Sequence, residues 1–229
     1  MIILIKILGI SGSPRKGATD YAVREALTAV EEVPGISTKL WSVRGKKIGY
    51  CVHCDKCIKN KTMCFIEDDF KELEELFLEA DGYIIGSPVY DMNITAQLTA
   101  CFNRLRPIYL VYPGILKNKV GGAISLGGTR HGGQETTLQA IINFYLMHEI
   151  LVSGGLGGCY SGGTVWTKDG KSQGAAEDEV GMNTVRGLGR GVAEATMIAA
   201  IGRKEWAMRK QGLDLKASDL VQDHQLWNK

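Results

Sequence analysis

Long apolar runs and blocks of one charge are both in short supply in this chain, and each shortage removes an explanation. The most apolar stretch, the opening MIILIKILGI, is too short to span a bilayer and carries Lys6 in its middle, so no membrane association is expected. It runs directly into a glycine and serine turn, so it reads as a buried strand and no secretory leader is expected; a reducing, cytoplasmic location is the matching expectation. Lysine and arginine (27) nearly balance aspartate and glutamate (25), for a formal net charge of +2. The basic residues are scattered among acids, which removes nucleic acid as a partner and leaves small molecules and proteins. What remains, 229 residues with 45% hydrophobic and 23% charged, has the balance of one globular domain with additions.

Familiar catalytic and nucleotide signatures are missing too. Neither G-x-G-x-x-G nor G-x-x-x-x-G-K-S/T occurs, so the usual dinucleotide and ATP cradles lose support. The four histidines are scattered, with no H-E-x-x-H and no Ser-His-Asp arrangement.

Cysteine, by contrast, is concentrated. Cys51, Cys54, Cys57 and Cys64 follow the spacing C-x2-C-x2-C-x6-C. A tight loop with two-residue gaps can present three thiolates, and a longer excursion returns the fourth, which is the donor set of an iron-sulfur cube. Structural zinc is the rival, although zinc sites more often pair two C-x2-C knuckles across a long gap. An unmetallated, regulatory thiol loop is the third reading. Cys101 and Cys159 stand alone in their segments and read as small buried hydrophobes.

Apolar periodicity gives alternating strands and helices. Strands are expected at 2–10, 36–42, 82–85, 120–126 and 150–152, with helices at 19–32, 68–80 and 95–104, around 138–145, and through a long last segment from Val185 to Ala199. Five strands alternating with five helices describe an α/β fold, a doubly wound parallel sheet covered on both faces. The cysteine loop, 50–66, follows strand 2 in place of an early helix. The glycine-rich segment 154–181 reads as a long loop with a surface or interface role. The domain is expected to span 1–204, with a C-terminal extension at 205–229.

Strand 1 ends in SGSPRKGAT, immediately before a helix. Glycines and small hydroxyl residues let backbone N–H groups close around a dianion at a helix N-terminus, here at Ala18 and Thr19. Ser11, Ser13 and Thr19 can add O–H bonds and Arg15 a charge-assisted one. The bland alternative is an ordinary strand-to-helix turn. Two more loops would reach the same edge: GSPVYDMN after strand 3 and GGTRHGGQ after strand 4. Pro88 and Tyr90 could wall a planar ring, glycines including Gly128 allow close approach beside Thr129, and Arg130 or His131 could steady negative charge. Tyr90 and His131 could equally only pack or face solvent.

Taken together, SGSPRKGAT, the run CVHCDKCIKNKTMC followed by IEDD, GSPVYDMNITAQL and GGTRHGGQETT resemble the iron-sulfur flavoproteins of anaerobic archaea and bacteria, over roughly residues 7–153. The resemblance implies a flavodoxin-like fold with strand order 2-1-3-4-5, FMN and a 4Fe-4S cluster in each subunit, electrons from a ferredoxin-like donor, and a homodimer or homotetramer with the flavin near a subunit interface. It implies that Cys51, Cys54, Cys57 and Cys64 hold the cluster, that Ser11, Ser13, Arg15 and Thr19 hold the FMN phosphate, and that Pro88, Val89, Tyr90 and Asn93 line the ring. The chain departs from the pattern where relatives place an asparagine before Thr19, and beyond Trp206. The expected activity is an FMN-dependent oxidoreductase reducing a small acceptor. The rivals are an NAD(P)H-dependent FMN or quinone reductase with a zinc-bound or metal-free cysteine loop, and a noncatalytic electron carrier. Because the cysteine loop leaves strand 2 at the carboxyl edge, cluster and flavin are expected to be neighbours, and Lys56, Lys59 and Lys61 to make the electron-accepting side basic.

Overall fold

The computed structural model describes residues 4–210. Its parallel sheet has the order β2-β1-β3-β4-β5, as the resemblance implies. The strands are β1 (Ile5–Ser11), β2 (Ile36–Ser42), β3 (Gly82–Pro88), β4 (Val120–Gly127) and β5 (Leu151–Val152). β3 and β4 are buried along almost their whole length, which is why they read as continuous apolar runs. On one face pack α1 (Ala18–Glu31) and α8 (Glu179–Lys210), with Val23, Ala26, Leu188 and Val192 against Ile7, Ile84 and Ile124. On the other pack α3 (Phe70–Glu79), α4 (Ala96–Arg104), α5 (Arg106–Val111) and α6 (Gln134–Met147), joining Phe77, Leu98 and Ile141 to Leu8, Tyr83 and Ile85.

Two expectations need correction. The segment 154–181 is not one irregular loop: it contains β6 (Gly163–Trp166) and α7 (Lys171–Glu177). β5 pairs with Val120 and Gly121 at the start of β4, and β6 pairs with Ile124–Gly127 at its end. The fifth strand position is therefore filled by two short pieces separated by an insertion: the expected strand at 150–152, and β6, which is too short to show periodicity. The cysteine loop also holds a short helix, α2 (Lys56–Asn60), bounded by Asp55 and Lys61 in left-handed conformation. The last helix runs unbroken through 204–205 to Lys210; the rest of the extension, 211–229, lies outside the described residues. No helix among the described residues is long and apolar enough to cross a membrane.

Candidate functional site

The carboxyl ends of β1, β3, β4 and β6 meet at a cavity of about 380 Å³, in the size range of cofactor sites and at the reversal of strand order where such sheets bind ligands. Its lining brings together Ser13, Arg15, Ala18 and Thr19 with Pro88, Val89, Tyr90 and Gly128. The Ser13 hydroxyl donates to the Arg15 carbonyl (3.0 Å) and accepts from the Arg15 N–H (3.2 Å), which curls the loop ahead of α1. That helix starts at Gly17 with no side chain capping it, so its first N–H groups stay open for a ligand. The Gly12 N–H donates to the Gly86 carbonyl (2.7 Å) and the Thr95 hydroxyl to the Gly12 carbonyl (2.7 Å). The phosphate-type loop is thereby fixed to β3 and to the start of α4.

Four of the sequence candidates stand outside this lining. Ser11 is fully buried at the end of β1, and its hydroxyl has no partner among the described residues. Asn93 spends its side-chain oxygen on the Ile94 N–H (2.8 Å) and its backbone on a bridge to Tyr90, tightening the loop that presents Tyr90. The Thr129 carbonyl accepts from Gln134 Nε2. Arg130 lies over the Trp166 ring, 4.6 Å from its centroid, and together with His131 lines a separate cavity. Sequence reasoning missed Lys16, Gly17, Leu126, Thr167, Asp169 and Lys171, which share the central cavity. Lys16 and Gly17 lay inside a quoted motif, whereas the last three sit in the segment that carried no readable signal.

The donor chemistry of the cavity fits FMN: an uncapped helix start, hydroxyls, the cations Arg15, Lys16 and Lys171, and apolar walls from Pro88 and Leu126.

The cysteine loop is held at both ends by one side chain. Arg104, 1% exposed, donates from Nη1 to the Gly49 carbonyl (3.0 Å) and from Nη2 to the Ile66 carbonyl (3.0 Å), and grips Asp68 at 2.8 and 3.2 Å. Burial alone would raise the Asp68 carboxyl, but Arg104 and the Gly49 and Phe70 amides outweigh it and hold it below the usual carboxylate range. A second bridge, Arg106 to Asp55 (2.7 Å), pins the tip. Cys64 is buried, Cys51 and Cys57 half-buried, and Cys54 exposed. Burial pushes the Cys57 thiol up, and nearby Cys64 adds to the shift.

Among the described residues, no three histidines, cysteines or acids converge around one point as ligands of a single ion do. Four soft thiols on one pinned loop are nonetheless the donor type that suits an iron-sulfur cluster, in which each thiolate would bind a different iron.

The loop does not lie beside the cavity. Cys51 and His53 line a groove with Tyr109 and Leu110 of α5 and Met147 at the far end of α6, and the Tyr112 hydroxyl reaches the Lys61 carbonyl (3.4 Å). α6 starts at the carboxyl edge and runs away from it for 14 residues, about 20 Å at 1.5 Å per residue. The loop leaves β2 at the expected edge, then folds back along the α4–α6 face, so the expectation that cluster and flavin sites are neighbours within one chain does not hold.

The sequence profile described as NADPH-dependent FMN reductase matches residues 5–157. An iron-sulfur flavoprotein of Methanocaldococcus jannaschii is 44% identical over 183 residues, 80% of this chain and 92% of that one. Another, from Archaeoglobus fulgidus, is 44% identical over 79% of this chain and 91% of its own. The chain belongs to the iron-sulfur flavoprotein family. The fold is also similar to the solved structure of RosB with bound 8-demethyl-8-formylriboflavin-5'-phosphate, at TM-score 0.66 and 17% identity over 93% of this chain and 90% of that one. Membership makes this iron-sulfur flavoprotein family member an FMN-dependent oxidoreductase.

Proposed function

We propose that this protein carries electrons from a ferredoxin-like donor, through a 4Fe-4S cluster on Cys51, Cys54, Cys57 and Cys64, to FMN and on to a small-molecule acceptor. The observation that carries the reading is the pinned four-cysteine loop on a flavodoxin-type sheet whose switch point holds a cradle for a phosphorylated flavin. When bound, the cluster supplies single electrons and FMN handles one or two, so together they couple one-electron donors to two-electron reductions.

The protein's own part is binding and placement. Ser13, Arg15, Ala18 and Thr19 would receive the phosphate, and Pro88, Val89, Tyr90 and Gly128 would flank the ring. Ser11 would act from beneath the loop, Asn93 by shaping the turn at Tyr90, and Thr129 and Arg130 by ordering the loop after β4. Arg104 and Arg106 hold the thiols in place. Exposed Tyr109, Leu110 and Met147 share a groove with Cys51, an apolar patch of the kind protein partners cover. The separation of the two sites within one chain favours a homodimer or homotetramer in which the loop of one protomer faces the cavity of another. Exposed Lys56, Lys59 and Lys61 would steer an acidic carrier protein, and the thiol ligands suit a cytoplasmic, reducing setting.

Anaerobic stopped-flow tests the route. Reduced ferredoxin should reduce the flavin far faster than NADH or NADPH, more slowly as salt screens the lysines, and Cys54→Ser should abolish that advantage while retaining FMN. Undiminished ferredoxin-driven reduction in the variant, or faster reduction by NADPH in the wild type, would overturn it.

A further inference from the structure

Beyond the part of the chain that resembles FMN reductases, the turn between β6 and α7 returns to the cofactor cavity. Thr167 fixes it there: its N–H and its hydroxyl both donate to the Gly127 carbonyl, at 2.8 and 3.2 Å, so the turn is stitched to the end of β4. The Gly170 N–H closes it on the Thr167 carbonyl (2.7 Å). Lys168, Asp169 and Lys171 all have left-handed backbone conformations, with φ of 50°, 56° and 53°. Side-chain-bearing residues adopt that region infrequently, and such conformations gather where a chain is held in place for function.

The charge pattern says what the turn is for. Lys171 is the first residue of α7 and Ala18 the first of α1; the two helices pack against each other, and both residues line the cavity. Lys171 therefore stands at the phosphate end. Among the described residues, Arg15, Lys16 and Lys171 form no salt bridge. The lining holds one carboxylate, Asp169, and it sits against Gly128, where an added Cβ would lie 2.1 Å from its Oδ1. Three uncompensated cations around a cavity with a single acid match a dianion, not a neutral ligand.

We propose that Lys171 is a phosphate-binding residue that sets the preference for FMN over unphosphorylated riboflavin. The proposal rests on the FMN reading of this cavity.

Flavin release on dilution, followed by fluorescence, tests it in wild type, Lys171→Gln and Lys171→Arg, each loaded with FMN or, after exchange, with riboflavin. Lys171 is exposed, and glutamine adds no backbone strain of its own, so the variants should fold. Lys171→Gln should weaken FMN about tenfold or more, the size of one charge-assisted hydrogen bond, leave riboflavin unchanged, and shrink the FMN difference at high salt. Lys171→Arg should restore most of the affinity. Unchanged FMN affinity in Lys171→Gln, or equal weakening of both flavins, would overturn the proposal. Recovery of FAD or of no flavin from the wild type would instead sink the FMN reading itself.

Discussion

His148 shows what a single buried side chain does to this fold. It is 4% exposed, packs against Phe144 with ring centroids 4.6 Å apart, and its Nε2 has no partner among the described residues. Burial pushes its pKa down to about 4, so it is neutral in the folded protein. The unfolded chain binds the proton near pH 6.5 and the folded chain only near 4, so stability is fully present above about 6.5 and falls as pH drops through that window. The loss should be roughly 2–3 kcal/mol, at 1.4 kcal/mol per pH unit. Urea denaturation at pH 7 and pH 4.5 checks it: His148→Leu should flatten the dependence, and an equally steep loss in the variant would assign it to other groups. At this scale, the sequence identified residue types better than their jobs. Ser13, Arg15 and Thr19 do reach the shared cavity, but Asn93 and Thr129 spend their oxygens on local turns, a choice of partner that no spacing reveals.

The elements show the same division. Four strands were legible because strands buried on both faces are written as continuous apolar runs. The fifth, expected at 150–152, is there as Leu151–Val152, but its companion piece Gly163–Trp166 was not legible, because it is shorter than a periodicity can register, and α5 was hidden because a single residue, Leu105, separates it from α4. The placement of the cysteine loop was misread because its anchor, Arg104, lies 36 residues beyond Asp68 in the chain. Removing a buried ion-pair partner strands the other charge, so Arg104→Ala should cost about 3–5 kcal/mol. It should also free both ends of the loop. Thermal unfolding reads the first effect, and faster thiol labelling at Cys51 and Cys57 the second; normal labelling in a destabilised variant would mean that Arg104 supports the core and not the loop.

On the scale of the whole molecule, one sheet presents two candidate redox sites on different surfaces. The cavity occupies the carboxyl edge, and the cysteine loop lies along the α4–α6 face toward the other end. Under the proposed function, that arrangement would make assembly part of the activity, since a flavin and a cluster on these two surfaces would cooperate once another copy brought them together. The claim beneath everything else is that the thiols hold iron and sulfide while the cavity holds FMN. Its most direct test is metal, acid-labile sulfide and flavin analysis of anaerobically purified protein. The account predicts about four iron and four sulfide per chain with one FMN, the composition of one cubane on four cysteines. One zinc per chain without sulfide, or flavin with metal-free thiols, would contradict it.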